Sequence, residues 1–264
     1  MIPQAAIQAW STSRPWPTLA AVEQDLLLAR LIVAFAEHPV LGEELVFRGG
    51  TCLHQVVLDH PHRYSEDLDF VRSTHSGIGP LLDAIRDVAA EVGLQVAGTN
   101  IGTHPKIRLR APSETDPSAS LRIKVEINTH ETSPALHTVR LPFSVESSWF
   151  TGQADVLTFA PAELFATKIR ALYQRRKGRD LFDLWLALTE LGLDGAEIVA
   201  AFGRYRPDGF TGALAEANLR AKLDDGGFRN DLNGLVAKWP ADYDLDSAAD
   251  LVITELLARL DGSR

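Results

Sequence analysis

Apolar residues recur at helical spacing through Leu19 to Glu37, where Leu26, Leu27, Ile32 and Phe35 occupy positions suited to a core. Arg30 interrupts the stretch, and its apolar part is too short to span a bilayer, so the pattern predicts an amphipathic helix. The next apolar run, Leu45-Val46-Phe47-Arg48, stops at Gly49-Gly50 and is followed by Thr51 to Leu58. That order predicts a strand, a tight glycine turn and a helix. Asp67 to Val71 predicts a second strand after a short loop, and Leu81 to Val92 repeats its apolar residues at helical spacing. Leu94-Gln95-Val96, Lys106 to Arg110 and Leu121 to Asn128 alternate with period two. Asp116-Pro117-Ser118, between the last two, predicts a turn joining an antiparallel hairpin.

From Pro161 onward the patterning becomes helical, in segments Pro161 to Tyr173, Leu181 to Leu191, Ala196 to Phe202, Thr211 to Leu223 and Ser247 to Leu260. Pro161 suits the first turn of a helix, which puts the boundary at Thr158 to Pro161. The expected organisation is an α/β core with an N-terminal helix over residues 1–160 and a helical C-terminal domain over 161–264.

Composition narrows the class. With 264 residues, 45% hydrophobic and 23% charged, the chain reads as globular rather than disordered. Cys52 is the single cysteine, so neither an intrachain disulfide nor a Cys-x-x-Cys metal knuckle is available, and a reducing cytoplasm is expected. Met1 to Pro17 lacks the basic segment and apolar core of a signal peptide, and no membrane role is expected. Counting 26 basic and 35 acidic residues gives a net charge of −9, which excludes a general polyanion coat but permits a local basic stripe. The densest such stripe holds Lys168, Arg170, Arg175, Arg176, Lys177 and Arg179. It reads either as a solvated face or as a contact for triphosphate or RNA backbone.

Candidate chemistry begins with Asp67 and Asp69. Two residues apart on a strand, their carboxylates leave one face while Leu68 and Phe70 leave the other. Side-by-side carboxylates repel, and divalent ions are a common use of the arrangement. In Arg122 to Asn128, Ile123, Val125 and Ile127 share one face and Arg122, Lys124, Glu126 and Asn128 the other, so Glu126 would join the aspartates if the two strands are neighbours. Three hard oxygen donors suit magnesium. The plain alternative is an ordinary amphipathic strand with a solvated acidic face. Gly49-Gly50-Thr51 stands at a helix start, where exposed N–H groups favour phosphate, or where Thr51 simply caps the helix. Neither a Walker loop nor a Gly-x-Gly-x-x-Gly is present. Asp242, Asp244, Asp246 and Asp250 lack the glycine and distal glutamate of a calcium loop and are expected to form a solvated loop and helix cap. Asp59-His60-Pro61-His62 is expected to be a polar loop over the active site rather than a metal cluster.

Taken in order, Phe47-Arg48-Gly49-Gly50-Thr51-Cys52-Leu53 and Ser65-Glu66-Asp67-Leu68-Asp69-Phe70 resemble the AbiEii/AbiGii-type nucleotidyltransferase toxins, including the MenT-like group. The resemblance continues through Ala166-Thr167-Lys168 and an Arg-Asp-x-x-Asp-Leu string at Arg179 to Leu184, and spans about Leu45 to Leu188. It implies an α+β fold: a polymerase-beta-like nucleotidyltransferase core with a small mixed sheet, followed by helices.

The same resemblance implies an enzyme that transfers a nucleoside monophosphate from an NTP to an acceptor hydroxyl and releases pyrophosphate. Magnesium, with manganese as a substitute, is the implied cofactor. The implied acceptor is the 3′ end of tRNA, with a cognate antitoxin as partner in a toxin-antitoxin or phage-defence system. Carried over, Asp67, Asp69 and Glu126 would hold metal, with Glu126 ligand or base. Arg48, Gly49, Gly50, Thr51 and Ser65 would hold nucleotide. Lys168 would face the triphosphate charge. Asp180 matches a second family acid and equally suits the cap of a helix from Leu181. Arg175, Arg176, Lys177 and Arg179 would contact RNA. Arg48 stands where the family often has Lys, and Thr51 where many related enzymes have Ser. Competing readings are a small-molecule nucleotidyltransferase of the aminoglycoside-modifying type and a catalytically inactive nucleotide-binding module.

Overall fold

The computed structural model describes residues 2–102 and 104–261. Helix α1 (Gln4–Trp10) precedes α2 (Leu19–Glu37), whose N-cap Thr18 accepts from the Ala21 N–H. A short α3 (Leu41–Glu44) leads into β1 (Leu45–Arg48), then α4 (Gly49–Cys52), which continues as a π turn over Leu53–Val57. Strand β2 (Asp67–Arg72) and α5 (Gly79–Glu91) follow, then β3 (Gln95–Asn100), β4 (Lys106–Pro112) and β5 (Ser120–Asn128). Strands β6 (Val139–Glu146) and β7 (Thr151–Thr158) close the sheet.

Among the described residues these form one mixed sheet in the order β3-β4-β5-β2-β1-β7-β6. The β4–β5 pair is antiparallel, as the turn at Asp116 to Ser118 predicts. Strands β2 and β5 run parallel, as do β1 and β7 at the single register Phe47–Thr158. One face carries Leu68, Phe70, Ile107, Leu109, Ile123, Val125 and Ile127, all buried. Helix α2 packs on this face, where the Phe70 ring stacks on Phe47 at 4.9 Å and meets Phe35 in a tilted contact at 5.8 Å. Each such side chain contributes about 1.5–3 kcal/mol through burial, which fixes which face of β2 and β5 looks away from the core.

Two acids of α2 are buried but partnered. Glu23 accepts from the Glu114 N–H (2.8 Å), the Thr115 N–H and the Ser113 and Thr115 hydroxyls, holding the β4–β5 turn. Asp25 accepts from Trp10 Nε1 (2.8 Å) and Gln55 Nε2 (2.5 Å), which ties the N-terminal segment and the π turn to α2. Burial pushes the Asp25 carboxyl above its ordinary range, against these hydrogen bonds and the Arg14 charge.

The chain divides into two compact units. One comprises Met1–Ser133, Thr138–Phe159 and Leu235–Lys238, the other Pro134–His137, Ala160–Gly234 and Trp239–Arg264. The second unit is helical: α6 (Pro161–Gln174), α7 (Gly178–Thr189), α8 (Gly195–Phe202), α9 (Gly212–Leu223), α10 (Gly226–Arg229) and α11 (Leu245–Val252). Helix α11 runs on as a π turn and a 3-10 turn, where the pattern predicts an unbroken helix to Leu260. Asp244 caps α11 through the Ser247 N–H, as expected of the aspartate run.

Candidate active site

Strand β1 pairs with β2 so that Arg48 opposes Asp69, and β2 pairs with β5 so that Asp69 opposes Glu126 and Asp67 opposes Lys124. The conditional neighbourhood of the two acidic strands is therefore realised, and Asp67, Asp69, Lys124 and Glu126 share the face turned from the core. Burial raises the Asp69 carboxyl above its usual range, and the Asp67 and Glu126 charges raise it further, while Lys124 and Arg48 oppose them.

Lys124 is what holds this acidic face together. Its Nζ lies 2.9 Å from Asp67 Oδ2 and 3.4 Å from Glu126 Oε2, and Lys106 Nζ lies 3.2 Å from the same Glu126 oxygen. Burial alone would lower the Lys124 ammonium, but the Asp67 hydrogen bond and the three carboxylates hold it above its ordinary value. Burial likewise would raise Glu126, yet the two lysines keep it below the carboxylate range. Among the described residues no group of three His, Cys, Asp or Glu converges at metal-ligand geometry, so the three-carboxylate metal set read from the sequence is not gathered. Glu126 is held by lysines instead. The Asp67–Asp69 pair retains the donor chemistry a divalent cation needs, hard oxygens on one face, and burial together with the Asp67 charge disfavours the ionised Asp69, a cost that a cation would relieve.

The glycine turn abuts these carboxylates. Gly49 has φ +85°, and a Cβ built on it would fall 2.6 Å from Asp69 Oδ2. At Gly50 a Cβ would fall 2.6 Å from Arg63 Nη2 and 2.9 Å from Ser65 Oγ. The helix starts at Gly49 with Arg48 as its cap residue, so Thr51 is not the N-cap that its sequence position suggests. Thr51 is fully buried, and its hydroxyl bonds the Asp67 carbonyl oxygen (2.5 Å) and Ser65 Oγ (3.0 Å). Its side chain bolts α4 to β2 rather than facing a ligand. Arg48 pairs with Glu131 at 3.2 Å, in the loop after β5.

Sequence reasoning overlooked Arg63 and Lys124. Arg63 is 2% exposed, with its guanidinium against Gly50, and buried arginine leaves no periodic signal. Lys124 was readable as a neighbour of Glu126 on the polar face, but its bridging depends on strand pairing.

In the second unit Lys168 Nζ lies 2.8 Å from Asp183 and 3.4 Å from Asp180, and both carboxylates are buried. The charge Lys168 faces is thus supplied by α7. Asp180 does not cap a helix from Leu181, because α7 begins at Gly178; it accepts from Arg175 Nε and Nη2, each at 2.7 Å. Arg176 pairs with Asp225, and Lys177 and Arg179 pair with Asp231 at 3.2 and 2.9 Å. Each cation of the expected RNA stretch has an acidic partner in its own unit.

The sequence matches, over residues 30–251, the family described as "Nucleotidyl transferase AbiEii toxin, Type IV TA system". No curated protein matches it. Among solved structures, JHP933 from Helicobacter pylori is similar at TM-score 0.55 and 16% identity, covering 93% of this chain and 94% of that one. A putative nucleotidyltransferase from H. pylori gives 0.55 and 18%, covering 91% and 96%. MenT4, a nucleotidyltransferase toxin from Mycobacterium tuberculosis H37Rv, gives 0.51 and 20%, covering 99% and 100%.

Proposed function

Since this chain belongs to the AbiEii nucleotidyl transferase toxin family and is thereby a nucleotidyltransferase, we propose that it moves a nucleoside monophosphate from an NTP onto the 3′ hydroxyl of tRNA, blocking translation and growth. The observation that carries the reading is the juxtaposition of Asp67 and Asp69 with the Gly49-Gly50 turn, in a family whose chemistry is phosphoryl-centred.

In this reading the acceptor oxygen attacks the α-phosphorus and pyrophosphate leaves. Asp67 and Asp69 would hold a divalent cation, magnesium or manganese, which would supply charge neutralisation at the phosphates. The Gly49 and Gly50 backbone lets Asp69, Arg63 and Ser65 close on the turn, and these side chains would border the nucleotide. Glu126, kept ionised by Lys106 and Lys124, is the carboxylate we assign to the acceptor hydroxyl. Lys168 and Asp180 enter only through the motif resemblance. Catalysis of this kind rests on positioning and electrostatics more than on a single base. The family's type IV toxin-antitoxin description supports an antitoxin as the partner that restrains it.

The test is transfer of label from each α-labelled NTP to total tRNA or to aminoglycosides, with magnesium or with EDTA. Magnesium-dependent label at the tRNA 3′ end is expected. Label on small acceptors alone would replace this reading with small-molecule modification, and none on any acceptor would favour an inactive binding module.

A further inference from the structure

Strands β4 and β5 oppose like charges on the face turned from the core. Arg108 is the register partner of Lys124, and Arg110 of Arg122. Directly opposed cations destabilise a sheet, and among the described residues no carboxylate lies within 4 Å of Arg108, Arg110 or Arg122. Arg110 has only a long contact to Gln95, at 3.5 Å. This contrasts with Arg175, Arg176, Lys177 and Arg179, each of which has an aspartate.

The arginines line a groove of about 490 Å3 that reaches Asp67 and Lys124. The pairing of β3 with β4 shifts register between Val96 and Gly98, and Ala97 at that shift lines the groove with the arginines. The groove holds Arg108, Arg110, Arg122 and Lys124 against Glu66 and Asp67, and Lys124 is engaged by Asp67. It is therefore a cationic patch on a protein of net charge −9. No aromatic side chain lines it, so it lacks a base-stacking platform and suits phosphates rather than bases. Successive positions on one face of a strand are about 6.7 Å apart, so Arg122 sits two such steps from Glu126 along β5.

We propose that the β3–β4–β5 face, through Arg108, Arg110 and Arg122, docks the phosphate backbone of the acceptor RNA beside Asp67. This rests on the reading of RNA as acceptor, and adds where the RNA lies. The opposed cations are the apo cost of a surface completed by polyanion. Contacts to phosphate carry no sequence, so this face sets position and orientation of the strand end.

Anisotropy of labelled total tRNA, titrated from about 50 to 200 mM salt, tests it. The Arg108→Gln, Arg110→Gln, Arg122→Gln triple variant should give a log K versus log salt slope shallower by about 2.1–2.7 units. Its affinity should then fall roughly 20- to 40-fold less than wild type's over that range. The triple Arg→Lys variant should keep the wild-type slope, which a merely structural role of arginine would not do. If the Gln triple melts below wild type, Arg122→Gln alone is read, with an expected change of about 0.7–0.9 units. An unchanged slope with tight wild-type binding overturns the docking surface alone. If wild type binds no tRNA at low salt, the RNA acceptor and this surface fall together. A larger loss of polyglutamate binding than of tRNA binding assigns the face to an acidic protein partner and overturns the proposal.

Discussion

Gly49→Ala perturbs the carboxylate pair from beneath, and its cost can be worked from two observations. The first is backbone: at φ +85° an alanine sits where L-residues are penalised by about 1–2 kcal/mol. The second is steric. The added Cβ would lie 2.6 Å from Asp69 Oδ2 and 3.1 Å from Asp69 Cβ. The carboxylate tip can rotate aside, but Asp69 Cβ is fixed by the β1–β2 ladder, in which Arg48 opposes Asp69. Together these give about 2–3 kcal/mol, or roughly 4–12 °C in melting temperature for a chain of this size. Turning the Asp69 carboxylate by an ångström should cost about 100-fold in turnover. Thermal unfolding reads the first number and single-turnover NMP transfer at saturating NTP the second. In an Asp69→Gly background the contacts with both the carboxylate and the Asp69 Cβ disappear while the backbone strain remains, so Gly49→Ala should cost about 1 kcal/mol less there. Equal cost in both backgrounds, or a Gly49→Ala protein melting within about 1 °C of wild type with full transfer, would refute the reasoning.

Three further outcomes follow from the same geometry. Asp67→Asn and Asp69→Asn should each abolish magnesium-dependent transfer, and Asp69→Asn should melt no lower than wild type because it relieves repulsion on the acidic face; transfer at wild-type level in either would remove the aspartates from the site. Lys168→Ala strips a cation from two buried carboxylates and should cost about 3 kcal/mol, measured by denaturant titration; an unchanged midpoint would contradict the buried pairing. Lys222 donates to the Leu172 and Tyr173 carbonyls, and burial, with Arg176 nearby, lowers its ammonium to about 8. Between that value and the ordinary 10.5 the unfolded chain binds more protons, so the stability of wild type relative to Lys222→Gln should rise across that window, and a flat difference in urea midpoints would show otherwise.

What the sequence determined by itself is local. Alternation in β2 and β5 assigned Asp67, Asp69 and Glu126 to polar faces, because strand periodicity is a property of the backbone. Helix α2 could be read to its ends for the same reason, since the apolar spacing is written in one short stretch. The family resemblance rested on motifs that are also contiguous. Strands β6 and β7 escaped the pattern: Pro142 is tolerated because β6 is the sheet edge, and Gly152 and the polar residues around it blur the period of β7. Tertiary structure decided the rest. The parallel β2–β5 pairing sets Lys124 between Asp67 and Glu126, so the cation that engages Asp67 is a lysine from a strand more than fifty residues on. Thr51 sits at a motif position suited to a ligand, yet packing turned it inward as a bolt. Arg176 and Arg179 read as an open basic stretch until chain folding brought Asp225 and Asp231 to them. Faces follow from covalent geometry and are legible residue by residue; partners depend on which distant strands and helices bury one another, and that is settled only when the whole core forms.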